Sequence, residues 1–296
     1  MKKTIKFKQF CEQYLSTRMG AKFTTIKTYK SVIDTHLIPE LGNVSVNDLN
    51  KDHGLKVMNN MTGSDRSKAT TNKAIVILKC IVDFAVEKLL IKENKLSSIK
   101  LLKDNDKSFC YWNEKEAHDF LEAIQGHKLH DVFKFALSTG LRRGEICGLL
   151  WENVKHTENG TELHFGEQLL PGRIRGTVKS GKKRYVPLSN EAINVLNNIN
   201  KKGDKDYIFT LKNGKSIEPN YLSIEFRSIQ KKIGIKNSIN FHAMRHSFAS
   251  LLSSKGVNIQ KIQHLLGHAN SSMTERYSHL NQNDLRDAAQ MVSFGK

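Results

Sequence analysis

Cysteine is scarce in this chain. Its 296 residues include 4, namely Cys11, Cys80, Cys110 and Cys147, and no two form a CxxC pair. Thiols so scattered argue against a zinc site and against a disulfide framework. They suit a reduced, cytoplasmic compartment. Proline is equally rare, at 4. Because proline breaks helix interiors, its rarity fits a mostly helical soluble protein. Long apolar runs are missing as well. Nothing approaches the roughly 18 residues that would suggest a membrane span, so no membrane partner is expected. The opening Met1-Lys2-Lys3-Thr4-Ile5-Lys6-Phe7-Lys8 is basic but has no apolar centre, which excludes a secretory signal. Acidic side chains are outnumbered: 29 Asp and Glu stand against 47 Lys and Arg, a formal net charge of +18. Such an excess attracts polyanions, of which nucleic acid is the commonest large one. Solubility alone is the plainer explanation.

The basic excess is not a tail. Residues 1–103 hold 19 Lys and Arg against 9 Asp and Glu, net +10; the remainder holds 28 against 20, net +8. At this length the chain can form one large domain or two ordinary ones, each with a core. Two basic domains joined by a basic linker could close around a duplex.

Hydrophobic periodicity suggests the elements. Phe7, Phe10, Cys11, Tyr14 and Leu15 recur at helical spacing. Thr24 and Thr25 are candidate caps for a second helix with Ile26, Tyr29, Val32 and Ile33, ended by Pro39 and Gly42. Asn47-Asp48-Leu49 starts a third, and 71–90 gives a fourth with Ile75, Leu78, Val82, Ala85 and Val86 on one side. The polar stretch near 100–112 reads as a linker. Helices follow over 113–125, 129–138 and 142–151. The period then changes to alternation at 161–165, 173–178 and 184–188. The turn at 179–183 predicts a hairpin between the last two strands. Helices resume from Glu191. The expected fold is mainly α with a small antiparallel sheet.

Several short motifs have chemical potential, and each has a bland alternative. In Thr139-Gly140-Leu141-Arg142-Arg143-Gly144-Glu145 an arginine stands at a helix start, where backbone donors favour phosphate. Glu145, one turn on, can hold its guanidinium. A surface i,i+3 ion pair is the alternative. His242 and Arg245 share a helix face; the neighbouring His246 could be a mere core histidine. Gly267 can end a helix and expose His268 in a turn. His264 and His268 lie at i,i+4, but the glutamate of a metalloprotease helix is missing and no third ligand is evident, so no metal is expected. Residues 176–183 nearly match a nucleotide-binding loop, yet Lys183 stands where Ser or Thr should hold magnesium, so ATP use is not expected. Lys179, on a turn, can reach a phosphate or protonate a leaving oxygen. Tyr277 lies in a polar run, which leaves its hydroxyl usable. With an unperturbed pKa of about 10, it needs nearby cations to act as a nucleophile.

Taken in order, Arg142, Lys179, His242-x-x-Arg245, Leu266-Gly267-His268 and Tyr277 resemble the tyrosine recombinase (phage integrase) family. The runs TGLRRGE, KSGKKRYVPL, HAMRHSFAS and LGHANSSMTERYSH carry the resemblance, which covers about 113–281. Ala243 and Met244 depart from the Asp and Leu frequent in the family, without touching the implied chemistry. The resemblance implies a helical SAM-like core-binding domain over 1–103, a linker over 104–112 and an α+β catalytic domain over 113–296. It implies the compact layout of Xer-like or simple integrases, with no arm-site domain before the bundle.

The chemistry it implies is DNA strand cleavage and rejoining through a 3′-phosphotyrosyl bond. Tyr277 would be the nucleophile, with Arg142 and Arg245 on the phosphate oxygens. Lys179 would act as acid toward the leaving 5′ oxygen, and His242 would assist proton transfer. His268 would bind a phosphate oxygen, and Glu145 would support Arg142. Neither metal nor ATP nor another cofactor is implied. The partner is double-stranded DNA, bound by a homotetramer on paired sites, with accessory DNA-bending or excision factors. A last helix carrying Leu285, Ala288, Ala289 and Val292 would dock on a neighbouring or its own protomer. Two alternatives stay open: a non-catalytic DNA-binding protein on the same fold, and a type IB topoisomerase-like enzyme. The complete set of six polar residues favours the recombinase over the first. The compact two-domain motifs favour it over the second.

Overall fold

The computed structural model describes residues 5–18, 20–64, 66–103, 110–178, 181, 183–201 and 203–267. Contacts divide the chain into two units, 1–107 and 108–296. Residues 104–109, most of the expected linker, lie outside the described residues.

In the first unit, α1 (Phe7–Thr17) buries Phe7, Phe10, Cys11 and Tyr14, the i, i+3, i+4, i+7 stripe of an amphipathic helix. Next comes α2 (Phe23–Val32). Its N-cap is Lys22, with no side-chain cap bond, so Thr24 and Thr25 sit inside the first turn rather than capping it. Nor does Pro39 end the path. A π-helical turn (Ile33–Leu37) leads straight into α3 (Ile38–Leu41), where Pro39 occupies the first turn. The helical path runs on through Pro39, and the π turn just before it, where the Ile38 N–H bonds the Ile33 carbonyl, is the local irregularity by which a helix absorbs a proline. The expected start at Asn47 is a short 3₁₀ turn (Val46–Asp48). The helix proper, α4 (Lys51–Gly63), begins at Asn50, whose side chain accepts from the His53 N–H at 3.2 Å. The longest described element is α5 (Lys68–Glu87), capped by Ser67. It buries Ile75, Ile77, Leu78, Ile81 and Val82.

The strap after α5 is tied to that helix. Lys79 Nζ donates to the carbonyls of Ser97 and Ile99 at 2.9 and 2.7 Å. Asn72 exchanges two 2.8 Å bonds with the backbone of Leu102. Residues up to Leu102 thus belong to the first unit.

The second unit starts by Trp112, which is buried rather than part of a linker. Its N–H donates to Ser247 Oγ at 2.9 Å and its Nε1 to the Asn237 carbonyl at 2.8 Å. Trp112 packs with Phe120, Phe133, Phe226 and Phe241 in an aromatic core. A capping box of Asn113 and Glu116 starts α6 (Glu114–Ala123), as such a pair does by satisfying two orphan donors. Two helices follow, α7 (His130–Thr139) and the short α8 (Arg143–Gly148), joined through Gly140 in the left-handed region.

Five strands come next among the described residues: β1 (Val154–Thr157), β2 (Gly160–Phe165), β3 (Glu167–Leu170), β4 (Ile174–Thr177) and β5 (Arg184–Pro187). They form two antiparallel sheets, β1-β2-β5 and β3-β4. The expected hairpin between β4 and β5 is therefore not made. Instead, β4 returns on β3, while β5 pairs β2 with Phe165 opposite Arg184 and Leu163 opposite Val186. The α8 helix packs tightly on β3: a Cβ at Gly148 would sit 2.8 Å from the Leu169 nitrogen.

Four helices complete the described chain: α9 (Asn190–Asn197), α10 (Pro219–Lys232), α11 (Phe241–Ser254) and α12 (Ile259–Leu266). Buried Gln230 on α10 brackets Ile239, donating to its carbonyl at 2.9 Å and accepting from its N–H at 2.8 Å. That fixes the entry to α11, where Asn240 caps the helix by accepting from the Ala243 N–H at 3.1 Å. Among the described residues no helix is long and apolar enough to cross a membrane.

Candidate active site

Arg142 is the N-cap residue of α8. Its backbone N–H donates to Glu145 Oε2 at 2.8 Å, and its Nη1 donates to Glu145 Oε1 at 3.0 Å. The helix start thus spends a backbone donor on its own carboxylate. Glu145 is fully buried, so the surface ion-pair alternative is excluded. A buried carboxylate must be paired or change its protonation state. The partners here are unusually dense. Arg184 Nη1 also reaches Glu145, at 2.8 Å from Oε1 and 2.7 Å from Oε2. Burial alone pushes the Glu145 carboxyl up. Arg184, Arg142, the Arg142 N–H and Arg245 together outweigh it and hold the group below the ordinary glutamate range.

Arg245 is buried on α11 and spans two loops. Its Nη1 donates to the Gly140 carbonyl at 2.8 Å and its Nη2 to the Leu266 carbonyl. Gly140 lies two residues before Arg142, and Leu266 two residues before His268. One turn earlier on the same helix, His242 is exposed, and its ring meets that of His246 edge to face at 5.0 Å. The identical spacing thus yields one buried and one accessible group.

Arg142 and His242 face a common cavity of about 460 Å³, which Arg143, Ser223, Arg227 and Asn240 also line. Arg143 Nη1 donates to Ser223 Oγ at 2.5 Å. A larger cavity, about 710 Å³, lies on the strands and is lined by Lys155, Arg175, Lys183 and Tyr185. Size does not decide the site; the smaller cavity is the one lined by two of the expected site residues, Arg142 and His242. Two cysteines are chemically silent. Burial pushes the thiols of Cys11 and Cys147 up to about 12, which leaves them protonated and poor nucleophiles.

Arg142, Glu145 and Arg245 are therefore brought together, with His242 at the adjoining cavity. Lys179, His268 and Tyr277 lie outside the described residues, as does the last expected helix. Gly267 does end α12, in the left-handed region at φ 61°. The look-alike nucleotide loop follows β4 and leads into β5 rather than a helix, so it lacks a helix N-terminus for phosphate.

The sequence marks Arg184 as part of a strand but assigns it no role in the site. The available signal was its alternation with Val186, which places it on the inward face of β5. A charge on that face needs a partner.

The phage integrase family matches residues 111–284, and the phage integrase N-terminal SAM-like domain matches 6–62. The chain belongs to the phage integrase family. Its reaction class is accordingly that of the tyrosine recombinases, site-specific DNA strand cleavage and rejoining. A tyrosine recombinase of Thermosipho africanus is 27% identical over 277 residues, covering 90% of this chain and 93% of that protein. The tyrosine recombinase XerC of Bacillus licheniformis is 26% identical over 74% of this chain and 73% of its own length. In fold, the chain resembles the Tn1549 transposon integrase solved with transposon right-end DNA. There the TM-score is 0.83 at 21% identity, over 97% of this chain and 99% of that one. It also resembles lambda integrase, solved as a tetramer on a Holliday junction, at TM-score 0.74 and 18% identity over 90% and 79% of the two chains.

Proposed function

We propose that this phage integrase family chain binds paired sites on double-stranded DNA as a homotetramer and exchanges strands there. The task is the integration or excision of a mobile element, or DNA resolution. The observation that carries this reading is the gathering of Arg142, Arg184 and Arg245 around buried Glu145, beside a cavity that His242 shares with Arg142.

In this reading the Tyr277 oxygen attacks the scissile phosphorus and gives up its proton, with His242 assisting. The bond from phosphorus to the 5′ oxygen breaks, and Lys179 supplies that oxygen with a proton. Arg142 and Arg245 balance the charge that develops on the non-bridging oxygens, and His268 donates to one of them. Glu145 keeps Arg142 in place. The products are a 3′-phosphotyrosyl ester and a 5′-hydroxyl. A partner strand's 5′-hydroxyl then reverses the step. Ester is exchanged for ester, so no nucleotide has to be consumed.

The test uses a nicked duplex carrying the junction sequence next to the gene, in buffer with chelator and no nucleotide. Wild-type protein should become covalently attached and migrate slowly on a denaturing gel. A protein that binds this duplex yet never forms the adduct would be a DNA-binding protein without strand-transfer activity.

Affinity should also depend steeply on salt, because phosphate contacts release counterions. With six or more such contacts, binding weakens about 10³-fold or more between 50 and 200 mM salt. A filter-binding titration reads this directly. A flat response would contradict DNA contact by both basic parts of the chain.

A further inference from the structure

Arg184 lies within the run KSGKKRYVPL, yet none of the roles in the reaction falls on it. It lies on β5, five residues after Lys179, and is almost fully buried. Its guanidinium joins three separate stretches. Nη1 forks onto both oxygens of Glu145, which holds Arg142 at the start of α8. Nη2 donates to the Leu265 carbonyl at 2.7 Å, in the last turn of α12. The guanidinium carbon stands 5.5 Å from the centre of the Phe165 ring on β2. The next carbonyl, that of Leu266, accepts from Arg245. Two buried arginines thus hold two successive carbonyls that a helix C-terminus leaves without helical partners. Gly267 follows, pressed on Arg184: a Cβ there would lie 2.5 Å from Arg184 Nε.

We propose that Arg184 is a positioning residue for strand cleavage: its fork fixes, through Glu145 and the Leu265 carbonyl, the Gly267 turn that precedes His268 against Arg142. The proposal rests on the recombinase reading. The physical requirement is geometric. Catalysis on a phosphate needs donors and nucleophile aligned closely, and a displacement of about 1 Å can cost 10²-fold. A planar guanidinium grips a carboxylate with one arm and a carbonyl with another in a fixed geometry that a single ammonium nitrogen does not reproduce. Lysine keeps the charge but loses that geometry.

The decisive variant is Arg184→Lys. It should fold and bind the nicked duplex with Kd within about twofold of wild type. At saturating protein its single-turnover cleavage should be about 10–100-fold slower. A folded Arg184→Lys that cleaves within twofold of wild type overturns the proposal, as does a variant whose whole defect lies in Kd. Should Arg184→Lys fail to fold, the double variant Arg184→Gln/Glu145→Gln is compared with Glu145→Gln alone, and cleavage by the double variant within twofold of the single one overturns the proposal. Hydrogen exchange of the free protein separates this proposal from the function reading. The Gly267 amide, bonded to the His264 carbonyl at 3.0 Å, should exchange at least tenfold faster in the variant, with α7 and α11 unchanged. Unaltered protection at Gly267 overturns the positioning role even if wild type forms no adduct. A missing wild-type adduct defeats only the recombinase reading.

Discussion

Tyr277→Phe should abolish covalent attachment to DNA while leaving DNA affinity within about twofold of wild type. The change removes one oxygen and keeps the ring. Without that oxygen no phosphotyrosyl ester can form, so the expected loss is total rather than graded. Affinity should survive because the electrostatic attraction resides in 47 Lys and Arg spread over both parts of the chain, and phosphate contacts dominate such affinity. Parallel filter binding and denaturing gels separate the two properties. An adduct formed by the Phe variant would move the nucleophile to another residue. A loss of binding together with cleavage would instead mean that Tyr277 is needed to build the site.

Glu145→Ala has the second largest expected effect, and it acts on stability. Removing the carboxylate leaves Arg142 and buried Arg184 without their common acceptor. Breaking a buried ion pair from one side costs about 3–5 kcal/mol, because the surviving charge stays out of water. For a unit of this size that corresponds to a fall in Tm of roughly 10 °C.

Acid should produce a related loss. The folded-state pKa of Glu145 lies below its unfolded value, so its contribution is fully present above the unfolded value of about 4.3. That contribution disappears as pH falls through the depressed folded value. Glu145→Gln should accordingly be less stable than wild type at neutral pH and lose less further stability between about pH 4.3 and 2. Thermal melts at pH 7 and across the acid range check both statements. Equal pH dependence in the two proteins would show that the Glu145 cluster does not hold its charge.

These outcomes depend on contacts that the sequence displayed unevenly. The amphipathic stripe of α1, the Asn113 start of α6 and the Gly267 stop of α12 were legible because each follows from local chemistry: periodicity, a capping side chain, a left-handed glycine. The order of Arg142, His242 and Arg245 was legible too. Burial was not. Arg142 and Glu145 at i,i+3 look the same on a wet surface as in a core, and only the approach of Arg184 from β5 distinguishes them. Strand partners were equally hidden. Alternation marks 173–178 and 184–188 as extended, but a two-residue period does not say which strand lies alongside, and β4 and β5 pair elsewhere. Pro39 misled for a related reason: it breaks a regular helix interior, but the π turn over 33–37 lets the helical path continue through it.

The adduct itself provides the most direct test of the central claim. Wild-type protein trapped on the nicked duplex is digested with trypsin, and the DNA-linked peptide is sequenced by mass spectrometry. The account predicts the peptide 277–286, linked through Tyr277 to a 3′-phosphate, with a free 5′-hydroxyl on the released strand. Attachment at any other residue, linkage to a 5′-phosphate, or cleaved DNA carrying no protein would contradict it.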